Sequence, residues 1–427
     1  MTFRAEPRST PRATALSLAL LIACMGCGDD SLQTRVLNCA SLPAAESSPN
    51  DQLKRFVAQV RERGQAPDQW DPLPAPAGDD AAKLLAEVLG EPVRLRLTPV
   101  VEGFFDEGVL SNDLANQRGI DAFLTKNSQL VGAIQQAADS PAFSFDCHHE
   151  LGFFARLEDL DRIELAVRIH LARASWAIRE ADAKEALREV RRAMRWCERL
   201  SRAPRIEPRV LAASLRAETL DVVHSLFDTG LFAATEAEEI YGDLRGALGA
   251  WPKDASSLAG DRAVVMHTYE AIRMGMQDRI LTGRELAQLE EEGMLEAIQG
   301  ASPTDLDQDE VNYLKAMEQL IESSDTMPYF ERLAAYEAAT RAAKEPPALY
   351  AHRLFLVEAV DALRAMAHDR TRCEAWCIVL AQAAELTLPP FRVNPVSGAK
   401  YSEIRSDGRV SVETGDPAWR EPSCPVF

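Results

Sequence analysis

Residues 182–200 place apolar side chains at Ala183, Ala186, Leu187, Val190, Ala193, Met194, Cys197 and Leu200. Those spacings of three and four follow the 3.6-residue turn of an α-helix, so this stretch must bury one helical face. Glu185 with Arg188, and Glu189 with Arg192, add i,i+3 pairs on the opposite, wet side. The preceding segment, 159–180, repeats the pattern through Leu160, Ile163, Val167, Leu171, Ala174 and Ile178. The same period predicts helices over 51–63, 79–89, 128–138, 211–227, 233–249, 262–280, 283–299, 305–322, 329–344 and 348–368. A chain patterned in this way cannot be a sheet protein.

Local signals refine this reading. Thr304 is placed to cap the helix after it, with Asp305, Asp307 and Asp309 near the positive end of the helix dipole. The triplet has the opening spacing of a calcium loop, but Glu310 stands where the glycine belongs and Ala316 where the bidentate glutamate belongs, so an acidic first helical turn is expected. Pro204 and Pro208 punctuate the chain, and Asp71 to Gly78, with Pro72, Pro74 and Pro76, reads as a loop. After Pro389-Pro390 the character changes. Tyr401–Arg405 and Arg409–Glu413 flank Asp407-Gly408, a two-residue hairpin signal, and so small a hairpin must dock on the helical body. Ala174, Ala186 and Ala193 resemble the small packing positions of a tetratricopeptide repeat, but a step of 34 residues lands on Pro208, Leu220 and Phe227, and the register does not recur. The expected fold is mainly α, an irregular multi-helix array with a tetratricopeptide-like helical hairpin and a small C-terminal β-hairpin.

The N-terminus specifies an address. Arg4, Arg8 and Arg12 precede an apolar run from Ala13 to Ala23, which is too short to span a bilayer as a permanent helix. Leu21-Ile22-Ala23-Cys24 follows, and it resembles the lipobox of bacterial lipoproteins, which implies lipidation at Cys24. Cys27 is the alternative, with Cys24 three residues before it where leucine is usual, and plain secretion with cleavage near Ala23 is the third reading. The expected organisation is a signal peptide over 1–23, a tether over 24–50, a helical body over 51–390 and a hairpin tail over 391–427.

The net charge of −19 argues against nucleic acid as a partner, because phosphate binding relies on Lys and Arg. It suits an exported, solvated protein. An exported chain enters a disulfide-permitting space, and of the eight cysteines Cys424 lies near the C-terminus, where a loose tail benefits from a staple. Cys373 and Cys377, one helical turn apart, are its expected partners, whereas Cys197 reads as a buried free thiol.

Phe143-Ser144-Phe145-Asp146, the run from Leu157 to Ala174, and Gly260-Asp261-Arg262-Ala263 together resemble a family of large exported helical proteins from environmental bacteria, lipoproteins among them. The tail from Pro390 to Tyr401 resembles that family's closing segment, usually Asp-Pro-x-x-Gly and then Tyr, with Asn394 in place of the Asp and a cysteine-bearing extension at the end. No function is assigned to the family, so the resemblance implies an architecture and no chemistry. The tail is also similar to the β-segment closing type II secretion pseudopilins, whose hydrophobic N-terminus this chain lacks.

Candidate chemistry is sparse. Cys147-His148-His149-Glu150 is the densest group of metal-ligand types, yet consecutive residues cannot all face one ion without an irregular loop, and Phe153 stands where a His-Glu-x-x-His helix needs its second histidine. The bland alternative is a helix start with Asp146 as cap. Arg188, Arg191, Arg192, Arg195 and Arg199 open a basic run that could meet anionic headgroups or a cell-wall polymer, or could be a face laced with Glu189 and Glu198. His170, His224, His267, His352 and His368 are scattered on helical patterns and read as structural. There is no nucleophile elbow, phosphate loop or dinucleotide fingerprint. The expectation is a lipid-anchored binding or scaffold protein of the cell envelope, without a cofactor, held to a membrane by its N-terminal lipid and partnered by an envelope protein or the cell wall. The competing expectation is an exported enzyme, a metal-dependent hydrolase using Cys147, His148, His149 or Glu150.

Overall fold

The computed structural model describes residues 43–69, 80–106, 109, 113–144, 152, 157–276, 283–291, 293–356, 359–391, 393–415 and 420–427. The chain is mainly helical with a small C-terminal sheet, as the periodicity requires. In chain order the helices are α1 (Pro43–Ser47), α2 (Asp51–Glu62), α3 (Ala81–Val88), α4 (Glu91–Asp106), α5 (Leu114–Lys126), α6 (Ser128–Asp139), α7 (Glu158–Arg179) and α8 (Ala183–Ser201). They continue as α9 (Ile206–Asp228), α10 (Ala234–Gly249), α11 (Asp254–Arg273), α12 (Gly283–Glu291), α13 (Leu295–Gln299), α14 (Pro303–Thr326), α15 (Tyr329–Ala342) and α16 (Ala359–Ala383).

Two apolar cores organise these elements. The first gathers α3 to α10 with the second half of α16 and the tail; the α7–α8 hairpin is its most extensive pairing, with Ala174, Ala186 and Ala193 fully buried at the crossing. Small side chains there let the two helix backbones approach closely. The second core gathers α1, α2 and α11 to α15 with the first half of α16. Leu363 and Met366 of α16 belong to the second core and Cys373 to Ala383 to the first. At 1.5 Å per residue α16 is about 37 Å long, enough to run through both.

The tail is a three-stranded antiparallel sheet, β1 (Ser402–Ser406), β2 (Arg409–Glu413) and β3 (Ser423–Pro425), in that order. Asp407 and Gly408 both take positive φ (51° and 71°), the turn that matches strand twist. Val410 pairs with Cys424, and both are buried with Val412 against the helical body, whereas every residue of β1 is exposed.

Several expectations are corrected. The segment read as a tether is already structured at Pro43, with Ala45 and Ser48 buried. The cap at the acidic turn is Ser302, not Thr304: its Oγ accepts from Asp305 N–H (3.2 Å), Asp305 Oδ2 accepts from Ser302 N–H (3.0 Å), and Pro303 takes the first helical position. The span 283–299 is two helices split at Gly293, whose φ is 68°. The span 348–368 is a π-turn over Ala351–Phe355 followed by the start of α16, which runs on to Ala383. α11 begins at Asp254, eight residues before 262, and ends at Arg273. α9 begins at Ile206 and takes Pro208 into its first turn, where amide hydrogens have no intrahelical partner. α4, with Pro99 inside it, and α5 lie outside every expected segment. The tail has a third strand that the hairpin signal does not reveal.

Candidate functional site

Asp71 to Gly78, the lipidation candidates Cys24 and Cys27, and the cluster Cys147, His148, His149 and Glu150 lie outside the described residues. Among the described residues no group of three or more His, Cys, Asp or Glu side chains is placed to hold a metal ion.

The expected tail disulfide is not formed. Cys197, Cys373, Cys377 and Cys424 are buried free thiols. The charges acting on Cys424 are those of Arg409 and Asp228, whereas Cys377 feels Glu374 and Arg245, and Cys373 feels Asp369 and Arg216. The tail cysteine and the helix cysteines sit in different surroundings. Burial pushes the thiols of Cys197, Cys377 and Cys424 up to about 12, so none is a ready nucleophile. Charge and packing hold the tail instead. Asp228 at the end of α9 takes Arg409 Nη2 (2.7 Å), Arg420 Nη2 (3.0 Å) and His224 Nδ1 (3.1 Å). Phe427 lies against Phe227, and its N–H donates to Ala383 O (3.0 Å).

The arginine run of α8 is met inside the chain. Arg188 pairs with Glu185 (2.7 Å), and Arg191 reaches Glu239 (2.8 Å) and Asp243 (2.7 Å) on α10. Arg192 holds Asp139 (2.6 Å) and Glu189 (2.7 Å), and Arg195 shares Asp139 (2.6 Å). Arg199 donates to the carbonyls of Ala137, Ala138 and Ser140 at the end of α6, and its guanidinium lies 4.6 Å from the Trp196 ring centre. Burial, with Arg195 beside it, lowers Arg199 to about 10. The run therefore fastens α8 to α6 and α10.

Sequence reasoning missed two buried constellations. In the first, His170 of α7 and Glu189 of α8 are fully buried, with Nδ1 2.7 Å from Oε2, and Gln135 Nε2 donates to Glu189 Oε1 (2.5 Å). Burial opposes the Glu189 charge, but His170 and Arg192 win and hold its carboxyl below the usual range. His170 Nε2 is buried and has no hydrogen-bond partner. Histidine and carboxylate are aligned as in a general base, yet no hydroxyl or thiol is bonded to the far nitrogen.

In the second, Arg216 of α9 pairs with Asp369 of α16 and donates to Ser201 Oγ of α8 (2.7 Å), while its guanidinium lies 5.2 Å from the Trp251 ring centre. Burial works against both charges; Asp369 nonetheless lifts the Arg216 pKa above its ordinary value. Arg216 also floors a cleft between α8, α9 and α10, bordered by Arg191, Glu198 and Asp243, with room for about one water molecule. These groups can fix helices and hold a water; a substrate does not fit.

Of the other histidines, His224 and His267 are buried, and His224 Nδ1 lies 3.1 Å from Asp228 Oδ2. A Cβ at Gly152 (φ 56°) would collide with His267 Nδ1, so glycine is required there. Comparison of the chain with protein-family models, curated proteins and solved structures found no match.

Proposed function

We propose that this chain is a lipid-anchored scaffold of a bacterial cell envelope, attached through Cys24, whose helical body holds an envelope partner. The observation that carries the reading is Leu21-Ile22-Ala23-Cys24 behind Arg4, Arg8 and Arg12. A lipidated cysteine with more than one acyl chain supplies stable anchoring, since each buried methylene contributes about 0.8 kcal/mol. Among the described residues no helix is long and apolar enough to cross a membrane. The α8 arginines are spent on the body's own carboxylates, so the excess of 19 negative charges is not offset by a free cationic face there. Such a surface favours a partner bearing cationic groups over an anionic headgroup or polymer. Kinship with the exported helical lipoproteins that the sequence resembles belongs to the same proposal.

Intact-mass and N-terminal peptide mass spectrometry of the protein from membranes tests it. The expected result is a diacyl- or triacyl-cysteine at position 24, lost together with membrane retention in Cys24→Ser. An unmodified N-terminus downstream of Cys27 rejects the anchor. Crosslinking in intact cells then identifies the partner.

A further inference from the structure

The first described helix is hooked onto the second core by carboxylates. Ala45 N–H donates to Glu270 Oε1 of α11 (3.0 Å), and Ser48 Oγ–H donates to Asp307 of α14. Ser48 Oγ also accepts from Asn50 N–H (2.9 Å), and Asn50 Oδ1 caps α2 by accepting from Gln52 N–H (3.0 Å) and Leu53 N–H (3.2 Å). Residues 45–50 thus form a short strap that joins α2 to the body.

The two carboxylates it grips belong to a buried group of three, Glu270, Asp307 and Glu310, gathered on Arg273. Its guanidinium reaches Asp307 Oδ1 (2.7 Å), Glu310 Oε2 (2.6 Å) and Glu270 Oε1 (3.4 Å). No side chain of the four is more than 9% exposed. Asp307 and Glu310 share that one guanidinium, so ionising both leaves a charge that Arg273 does not match where water is excluded, which is costly. Glu310 Oε1 is buried with no hydrogen-bond partner, and leaving such an oxygen ionised costs more than leaving it neutral.

Glu310 is faced by Glu270 and Arg273 from α11 and by Asp307 one turn earlier on α14, with the phenols of Tyr269 and Tyr313 at the edge. The neighbouring Asp309 is engaged elsewhere, by Tyr269 Oη–H (2.7 Å) and the N–H groups of Leu349, Tyr350 and Ala351 (2.8, 2.9 and 3.0 Å). The strap's own ionisable group, Glu46, turns away to Arg61 (2.6 Å).

We propose that residues 45–50 are a proton-dependent latch: the strap stays closed over the Glu270–Asp307–Glu310 group while Glu310 holds a proton, and opens to admit water when that proton is lost. Burial pushes Glu310 up to about 7, with Glu270 and Asp307 pushing the same way and Arg273 pulling against them. Opening hydrates the group and returns Glu310 toward its ordinary value of 4.5. The closed state therefore binds the proton more tightly, and closure is favoured fully below about 4.5 and progressively less as pH rises to about 7. In the sequence the strap follows residues 24–42, which lead from the proposed anchor. Failure of the latch leaves that anchor untouched, because lipidation is read from the mass of the N-terminus.

Hydrogen exchange of the full mature chain, read by mass spectrometry and corrected for intrinsic rate, is the test. From about pH 5.5 to about pH 8 we expect protection of Ala45 and its neighbours to fall at least about tenfold, with peptides from 373–383 unchanged. Glu310→Gln keeps the strap protected at both pH values. Ser48→Ala, which removes one hook and touches no core side chain, lowers protection at the acid value toward that seen at the alkaline one. Equal protection of the wild-type strap at both pH values overturns the proposal, and so does a folded Glu310→Gln protein that responds as the wild type does. If Glu310→Gln does not fold, the wild-type pH response and Ser48→Ala decide: a wild-type fall without loss of protection in Ser48→Ala also overturns it.

Discussion

Arg216 and Asp369 are 153 residues apart in sequence and form a buried ion pair where α9 meets α16, at the point on α16 where one apolar core gives way to the other. Neither is more than 4% exposed. Removing one partner strands a charge. Arg216→Ala or Asp369→Ala should each cost about 3–5 kcal/mol in urea unfolding, while Arg216→Met with Asp369→Leu should be near neutral. A single variant costing under about 1 kcal/mol would mean that the pair does not clamp the cores together.

The tail depends on Asp228. Asp228→Ala removes the acceptor shared by Arg409, Arg420 and His224. Asp228 and Arg409 are about a third exposed and Arg420 is 56% exposed, so the global cost should stay near or below about 1 kcal/mol. Exchange in residues 409–427 should rise selectively, and equal exchange across the whole chain would refute the local role.

The thiols make a chemical prediction. Cys197, Cys373, Cys377 and Cys424 are buried, with their acidities suppressed. None should react with a thiol reagent at about pH 8 in the native protein, and all four should react in denaturant without a reductant. Peptide mapping that finds Cys424 bonded to Cys373 or Cys377 would reverse this.

Glu207 predicts a pH slope of its own. Its Oε2 is buried without a hydrogen-bond partner, and burial, with Asp261 and Asp161 nearby, raises it to about 7 against the pull of Arg205. The folded protein keeps this proton at pH values where the unfolded chain has lost it. Its contribution to stability is full below about 4.5, declines as pH rises to about 7, and is flat above. Thermal midpoints should fall over that window, and Glu207→Gln should make the fall shallower. An unchanged slope would remove Glu207 as a source.

The cap on α14 is the simplest case. Ser302→Ala should cost about 1 kcal/mol by leaving the Asp305 N–H without its acceptor.

What the sequence determined by itself is local. Periods of three and four place α2, α6, α7, α8, α10 and α15 within a few residues, because helix burial repeats along the chain itself. Asp407-Gly408 places the β1–β2 turn for the same reason, since positive φ is a property of single residues. The three alanines of the α7–α8 crossing were legible as small positions at helical spacing. What only the tertiary structure decided is which charges meet. The run from Arg188 to Arg199 reads either as a basic surface or as a face laced with its own glutamates, and only the packing of α6 and α10 brings Asp139, Glu239 and Asp243 against it. His170 with Glu189, Arg216 with Asp369, and Arg273 with Asp307 and Glu310 leave no local mark, because these partners come from other helices. Cys424 reads as half of a disulfide until the third strand turns it inward opposite Val410. Helical period is written in neighbours three and four apart; the pairing of buried charges depends on distances that exist only after the helices have packed.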